Sequence, residues 1–238
     1  MRTYRIPRVP HRLLVATAAA GLLLTLPGAA HASPTPPGSD SGAGSGSADT
    51  ADAPGADGLR AFQQQYGLTP TGLVDTATAH LLKVAPDSEL RAHFADPSDL
   101  GPEQLAHART VIGVGKGADI SEQGQVIALM TAMQESKFVN YTKPVDHDSL
   151  GIFQQRPSMG WGTAKQITHV PTSSKSFYGL PSPTSNPGLL QIDGWESMDP
   201  GAACQAVQRS AHPDRYAQWE QFARDLLERE GPTVDPIA

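Results

Sequence analysis

Glu135 stands near the end of the run AMQESKF, and the chain then passes into DHDSLGIFQQRPSMGWGT, residues 146–163. These two stretches collect residue types that could act together on a sugar. Glu135 is a carboxyl, and a carboxyl held in apolar surroundings keeps its proton to higher pH because desolvation disfavours the anion. Gln154 and Gln155 form several hydrogen bonds without carrying charge, as acetamido and hydroxyl groups require. Trp161 offers a flat apolar face to a pyranose ring, and Ser136 and Ser149 add hydroxyls. Gly151 permits close backbone approach. Asp146 and Asp148 follow Glu135 by eleven and thirteen residues and are candidates for a second carboxylate. Each residue also has a plain structural reading. A Glu near a helix end is more often on the surface, Asp favours turns by bonding its own backbone, and Gln154 and Trp161 can simply pack.

The elements that must position these groups read as helices. Ser121 can cap a helix whose apolar positions Val126, Leu129, Met130 and Met133 keep helical spacing, with Ala128 and Ala132 on the strip that ends at Glu135. Pro102 suits a first turn, and Leu105, Ala108, Val111 and Ile112 make an apolar stripe, so a helix is expected from Pro102 to about Val114. Gly113, Gly115 and Gly117 are expected to end it. GVGKG lacks the spacing and trailing hydroxyl of a phosphate loop. Residues 172–194 are Pro- and Ser-rich, with a helix expected around Ser174 to Leu180 at the rim of a groove. A helix from Asp199-Pro200 through Ser210 follows. Pro213 opens another, with Tyr216, Trp219, Phe222, Ala223 and Leu226 as a core stripe.

AMQESKF followed by DHDSLGIFQQRPSMGWGT resembles the lysozyme-like fold of soluble lytic transglycosylases and goose-type lysozymes. It is most similar to the single-domain version found in secreted proteins of Gram-positive (actinobacterial) bacteria. The likeness extends through AVQRS and YAQWE and covers residues 102–230. The resemblance implies that Glu135 is the catalytic acid, that Ser136 is the serine following it, and that Gly151 and Gln154 are the glycine and glutamine of the family's glycine-to-glutamine phrase. Most glycosidases pair two carboxylates, which makes Asp148, or its neighbour Asp146, the candidate partner. Lytic transglycosylases dispense with that partner. The substrate's N-acetyl group assists, and the same Glu then takes a proton from the sugar's own 6-hydroxyl. The sequence leaves the acceptor, water or the 6-hydroxyl, open. Substrate contacts are expected from Ser136, Ser149, Gly151, Gln154, Gln155 and Trp161, and Arg156 could meet a lactyl or peptide carboxylate.

Residues 1–32 read as a signal peptide. Arg2, Arg5, Arg8 and Arg12 precede an apolar run from Leu13 to Leu26, and Ala30-His31-Ala32 suits cleavage before Ser33. That run is too short to span a bilayer as a helix, so no stable membrane anchor is expected. Removing four Arg and no acid takes the formal charge from −6 to −10, which argues against nucleic acid as a partner. Residues 33–57 contain no large apolar side chain and read as a flexible linker. Over residues 58–84, GLRAFQQQYGLTPTGLVDTATAHLL reads as two short helices joined by a turn, with Asp75 capping the second. It resembles the C-terminal part of the small helical peptidoglycan-binding domain, without that family's preceding helix. It therefore reads either as a partial glycan-binding module or as a spacer hairpin. Residues 85–101 form a connector and 231–238 a tail.

Cys204 is the one cysteine, so no intrachain disulfide exists, and it reads as a small buried helix residue. The eight His show no metal-ligand spacing, and neither metal nor cofactor is expected. The expected fold is mainly α: a lysozyme-like helical domain with a small irregular or β-containing loop region, preceded by a short helical hairpin. The expected function is that of a secreted, cell-wall-associated protein that cleaves the glycan strands of peptidoglycan with a single Glu. The alternative is a non-catalytic protein that binds those strands.

Overall fold

A computed structural model describes residues 55–144, 146–181, 184 and 186–238. The expected signal peptide, and the linker up to residue 54, lie outside the described residues. The described chain is mainly helical. In order the helices are α1 Asp57–Gln65, α2 Thr76–Val84, α3 Asp87–His93, α4 Pro102–Gly117, α5 Glu122–Ser136, α6 Ala164–Ile167, α7 Val170–Tyr178, α8 Pro200–Gln208 and α9 Glu220–Glu230. Extended pairing among the described residues amounts to two isolated antiparallel bridges, Tyr141 with Gly151 and Leu150 with Gln155. Both lie in the loop that follows α5.

Helix α5 is the axis of the fold. Ser121 Oγ accepts from the Gly124 amide and caps it. From Gly124 to Met133 every residue is buried, the pattern of a helix enclosed on all sides. It packs against α4, α7, α8 and α9. Its C-terminal end departs from helical geometry through two consecutive left-handed residues, Lys137 (φ 55°) and Phe138 (φ 60°). That bend, made without glycine, sends the chain into the bridged loop.

Helix α4 corrects the expected boundary. Gly113, Gly115 and Gly117 do not end the helix at Val114; it continues to Gly117. The glycines are there because other chain segments lie against them. A Cβ on Gly113 would sit 2.8 Å from Ile237 Cδ1 and 2.9 Å from the Asp235 carbonyl, and one on Gly117 would meet the Ile237 carbonyl. The Ile237 amide donates to Gly113 O at 2.8 Å, and Lys116 Nζ donates to the carbonyls of Gly231 and Val234. Residues 231–238 are therefore a packed strap across α4.

Two other boundaries shift. The helix expected around Ser174 to Leu180 runs from Val170 to Tyr178, opened by Pro171 and ended at Gly179 with φ 81°. Pro213 opens a 3-10 turn, a second follows over Ala217–Trp219, and α9 begins only at Glu220. The stripe Tyr216, Trp219, Phe222, Ala223 and Leu226 is buried as expected.

The α1–α2 hairpin forms as read, with Asp75 Oδ1 accepting from the Thr78 amide at 2.7 Å. It shares its core with the rest of the chain: Leu59, Phe62 and Leu82 belong to the same buried cluster as Leu129 and Phe153. Tyr141 Oη donates to Ala79 O at 2.7 Å, so the hairpin is pinned to the loop after α5.

Candidate active site

The last turn of α5 delivers Glu135, half-buried, to a cleft of about 410 Å³. Tyr216 Oη donates to Glu135 Oε1 at 2.6 Å, and the tyrosine is 1 % exposed. Burial, reinforced by the charge of Glu135, holds the phenol far above its ordinary range, so Tyr216 stays a donor and fixes one carboxyl oxygen. Beside it, Gln134 Oε1 accepts from Trp219 Nε1 and Gln218 Nε2, both at 2.8 Å. The carboxyl is thus carried on a helix end clamped from two directions.

Ser149, Gln154, Gln155 and Trp161 line the cleft with Glu135. Gln154 has a left-handed backbone (φ 49°); its Nε2 donates to Gly151 O at 2.9 Å, and its Oε1 accepts from Lys83 Nζ at 2.8 Å. Gln155 is buried, and its Oε1 has no partner among the described residues. Trp161 is partly buried: it packs on the core and also faces the cleft.

Three expected site residues do other work. Ser136 does not line the cleft; it is buried, and its Oγ donates to Ile152 O at 2.7 Å, joining the end of α5 to the loop. Gly151 has φ 71°, and a Cβ there would press on the Ile167 carbonyl. Its backbone amide donates to Tyr141 O, so the close approach is to α6 and the bridge. Asp148 is drawn away from the cleft: Arg156 Nε donates to its Oδ1 at 2.6 Å and the Ser158 amide to its Oδ2 at 2.7 Å. These bonds hold its carboxyl well below the usual carboxylate range. A carboxylate with both oxygens engaged in this way is a poor second catalytic carboxylate. The Asp at the cleft is Asp146, which is largely exposed and pairs with His147 Nδ1 at 2.8 Å.

Two lysines near Glu135 were missed in the sequence. Lys83, from α2, lines the cleft, and burial lowers its pKa while Glu135 and Asp146 oppose that. Lys137 is buried behind the site; its Nζ donates to Gln134 O at 3.0 Å and lies 5.6 Å from the Trp219 ring centre. Burial pushes its pKa down to about 8. Tyr216 was read as core alone, and the only signal against that was general: a buried phenol needs a hydrogen-bond partner. Among the described residues no group of three or more His, Cys, Asp or Glu is placed to hold a metal.

A scan against protein-family models found no match to this chain, and a search of curated proteins found no match either.

Proposed function

We propose that this is a secreted, lysozyme-like protein that cleaves the glycan strand of peptidoglycan, with Glu135 as general acid and then general base. The observation that carries the reading is the pairing of a half-buried Glu135 with Tyr216 Oη at 2.6 Å in a cleft lined by Gln154, Gln155 and Trp161. Tyr216 occupies Oε1, which leaves Oε2 to carry the transferable proton. That proton passes to the glycosidic oxygen as the bond from C1 breaks, and the leaving sugar departs with a neutral hydroxyl. The acceptor hydroxyl then adds to C1 and returns its proton to Glu135. The clamp on Asp148 removes one of the two candidate partner carboxylates, while the other, Asp146, lines the cleft, so the acceptor is either water, with Asp146 as partner, or the substrate's own 6-hydroxyl, with an anhydro product.

Glu135→Gln keeps the shape and removes the proton. Release of soluble muropeptides from purified wall should fall by about 10²- to 10⁴-fold while sedimentation with the wall persists. Release at the parental rate would remove Glu135 from the mechanism. Mass spectrometry of the parental products decides the acceptor, since an anhydro sugar is one water lighter than a hydrolysed one. The same withdrawal of Asp148 also supports the second reading, a cleft that holds glycan without cutting it. In that case the parent sediments with the wall and releases nothing.

A further inference from the structure

The hairpin that resembles part of a glycan-binding module contributes a cation to the cleft. Lys83 lies in the last turn of α2, and α2 is fixed to the loop after α5 by the bond from Tyr141 Oη to Ala79 O. Its ammonium carries three donors. Among the described residues it makes one hydrogen bond, to the neutral Oε1 of Gln154, and no ion pair. Its neighbours in the cleft are otherwise committed. Arg156 is neutralised by Asp148, Asp146 is paired with His147, and Glu135 Oε1 is held by Tyr216. The ammonium lies 6.0 Å from the Tyr141 ring centre and feels the charges of Glu135 and Asp146, but two of its three donors have no acceptor among the described residues, and a carboxylate would supply them.

We propose that Lys83 is a specificity-determining residue of the cleft, and that it takes a carboxylate pendant from the bound glycan strand. On this view the hairpin works as one wall of the cleft. The proposal rests on the glycan-cleaving reading and names the feature of the substrate that the site selects. Arg156, the cation that the sequence suggests for this task, is already occupied by Asp148. The pendant carboxylate has two sources in peptidoglycan, the stem peptide and, on strands that have lost the peptide, the lactyl group.

The test compares the parent, Lys83→Gln and Lys83→Arg on purified wall and on the same wall with its carboxylates amidated by carbodiimide and ammonia. Both sedimentation affinity and the initial rate of muropeptide release are measured. The parent should prefer the native wall by about tenfold, the size of one charge-assisted hydrogen bond. Lys83→Gln should lose that preference through a raised KM with kcat little changed, and Lys83→Arg should retain most of it. A third arm, wall stripped of peptides by an amidase, replaces the peptide carboxylates with newly freed lactyl ones. Affinity that falls there to the level of amidated wall assigns the peptide carboxylates, and affinity kept there but lost when the stripped wall is amidated shows that a lactyl carboxylate also serves.

If Lys83 only props Gln154, the Gln variant weakens native and amidated wall alike, and the proposal fails. It fails equally if the parent treats the two walls the same. A parent that neither sediments with wall nor releases muropeptides instead overturns the glycan reading itself.

Discussion

At the scale of single residues, the site is built from groups whose roles are set by what touches them. Glu135 and Asp148 are both acids of the same stretch, yet one faces a cleft with a tyrosine on a single oxygen and the other is clamped on both. No periodicity separates them, because Arg156 and the Ser158 amide reach Asp148 through a fold of the loop. Tyr216 is the residue on which the cleft carboxyl depends for its orientation. Tyr216→Phe keeps the buried ring and removes the donor, and a hydrogen bond to a charged group contributes roughly 1.5–3 kcal/mol. The expected result is a kcat lower by about 10- to 100-fold, with affinity for wall and the far-ultraviolet circular dichroism unchanged. An unchanged kcat would show that Glu135 needs no such partner.

At the scale of elements, helix caps and stripes were legible in the sequence and close packing was not. Ser121, Asp75 and Pro102 start helices where their chemistry says they should, since a cap bonds only its own first turn. Phe222, Ala223 and Leu226 are buried for the same local reason, their helical spacing within α9, whereas Tyr216 and Trp219 precede that helix. The glycines of α4 read as a stop in the sequence because their reason is not local: Gly113 and Gly117 face Ile237 in the C-terminal strap, more than a hundred residues away, and Gly115 faces Gln125 and Tyr178. The sequence of the hairpin reads equally as module and as spacer, because only the fold shows Lys83 reaching the cleft. A strap held against bare helix backbone has a measurable consequence. In an exposed helix interior Gly→Ala stabilises by about 1 kcal/mol. At Gly113 the new methyl would instead meet Ile237 Cδ1 and the Asp235 carbonyl, and such overpacking costs roughly 1–3 kcal/mol. Gly113→Ala should therefore lower the thermal midpoint of the intact chain. In a chain lacking residues 232–238 the same substitution should raise it. The same sign in both backgrounds would mean that the strap does not rest on α4.

At the scale of the whole molecule, α3, the α5 axis and the segment before α9 meet around one buried charge. Lys137 ends α5, lies against Trp219 from the C-terminal segment and feels the charges of Asp87 in α3 and Arg215. Asp87 and Arg215 pair with each other at 3.1 Å, closing the same junction. Burial takes the Lys137 pKa from the ordinary 10.5 down to about 8. In that window the unfolded chain binds a proton that the folded chain has released, so the free energy of unfolding rises with pH; below about 8 both states carry the charge and the full cost of burying it remains. The window closes near 10, where the tyrosines of the unfolded chain ionise while burial keeps Tyr141, Tyr178 and Tyr216 protonated, which turns the slope downward. Between these limits the parent should gain about 2 kcal/mol, read by denaturant unfolding at several pH values. Lys83, whose pKa is also lowered, adds a contribution of the same sign, so the decisive quantity is the difference between the parent and Lys137→Met. That variant should lack most of the rise and be at least as stable as the parent near neutrality, since a packed apolar side chain in place of a buried charge is often neutral or stabilising. Parallel pH profiles for the two proteins would mean that the charge at this junction is solvated, and that the three parts of the chain do not close around it.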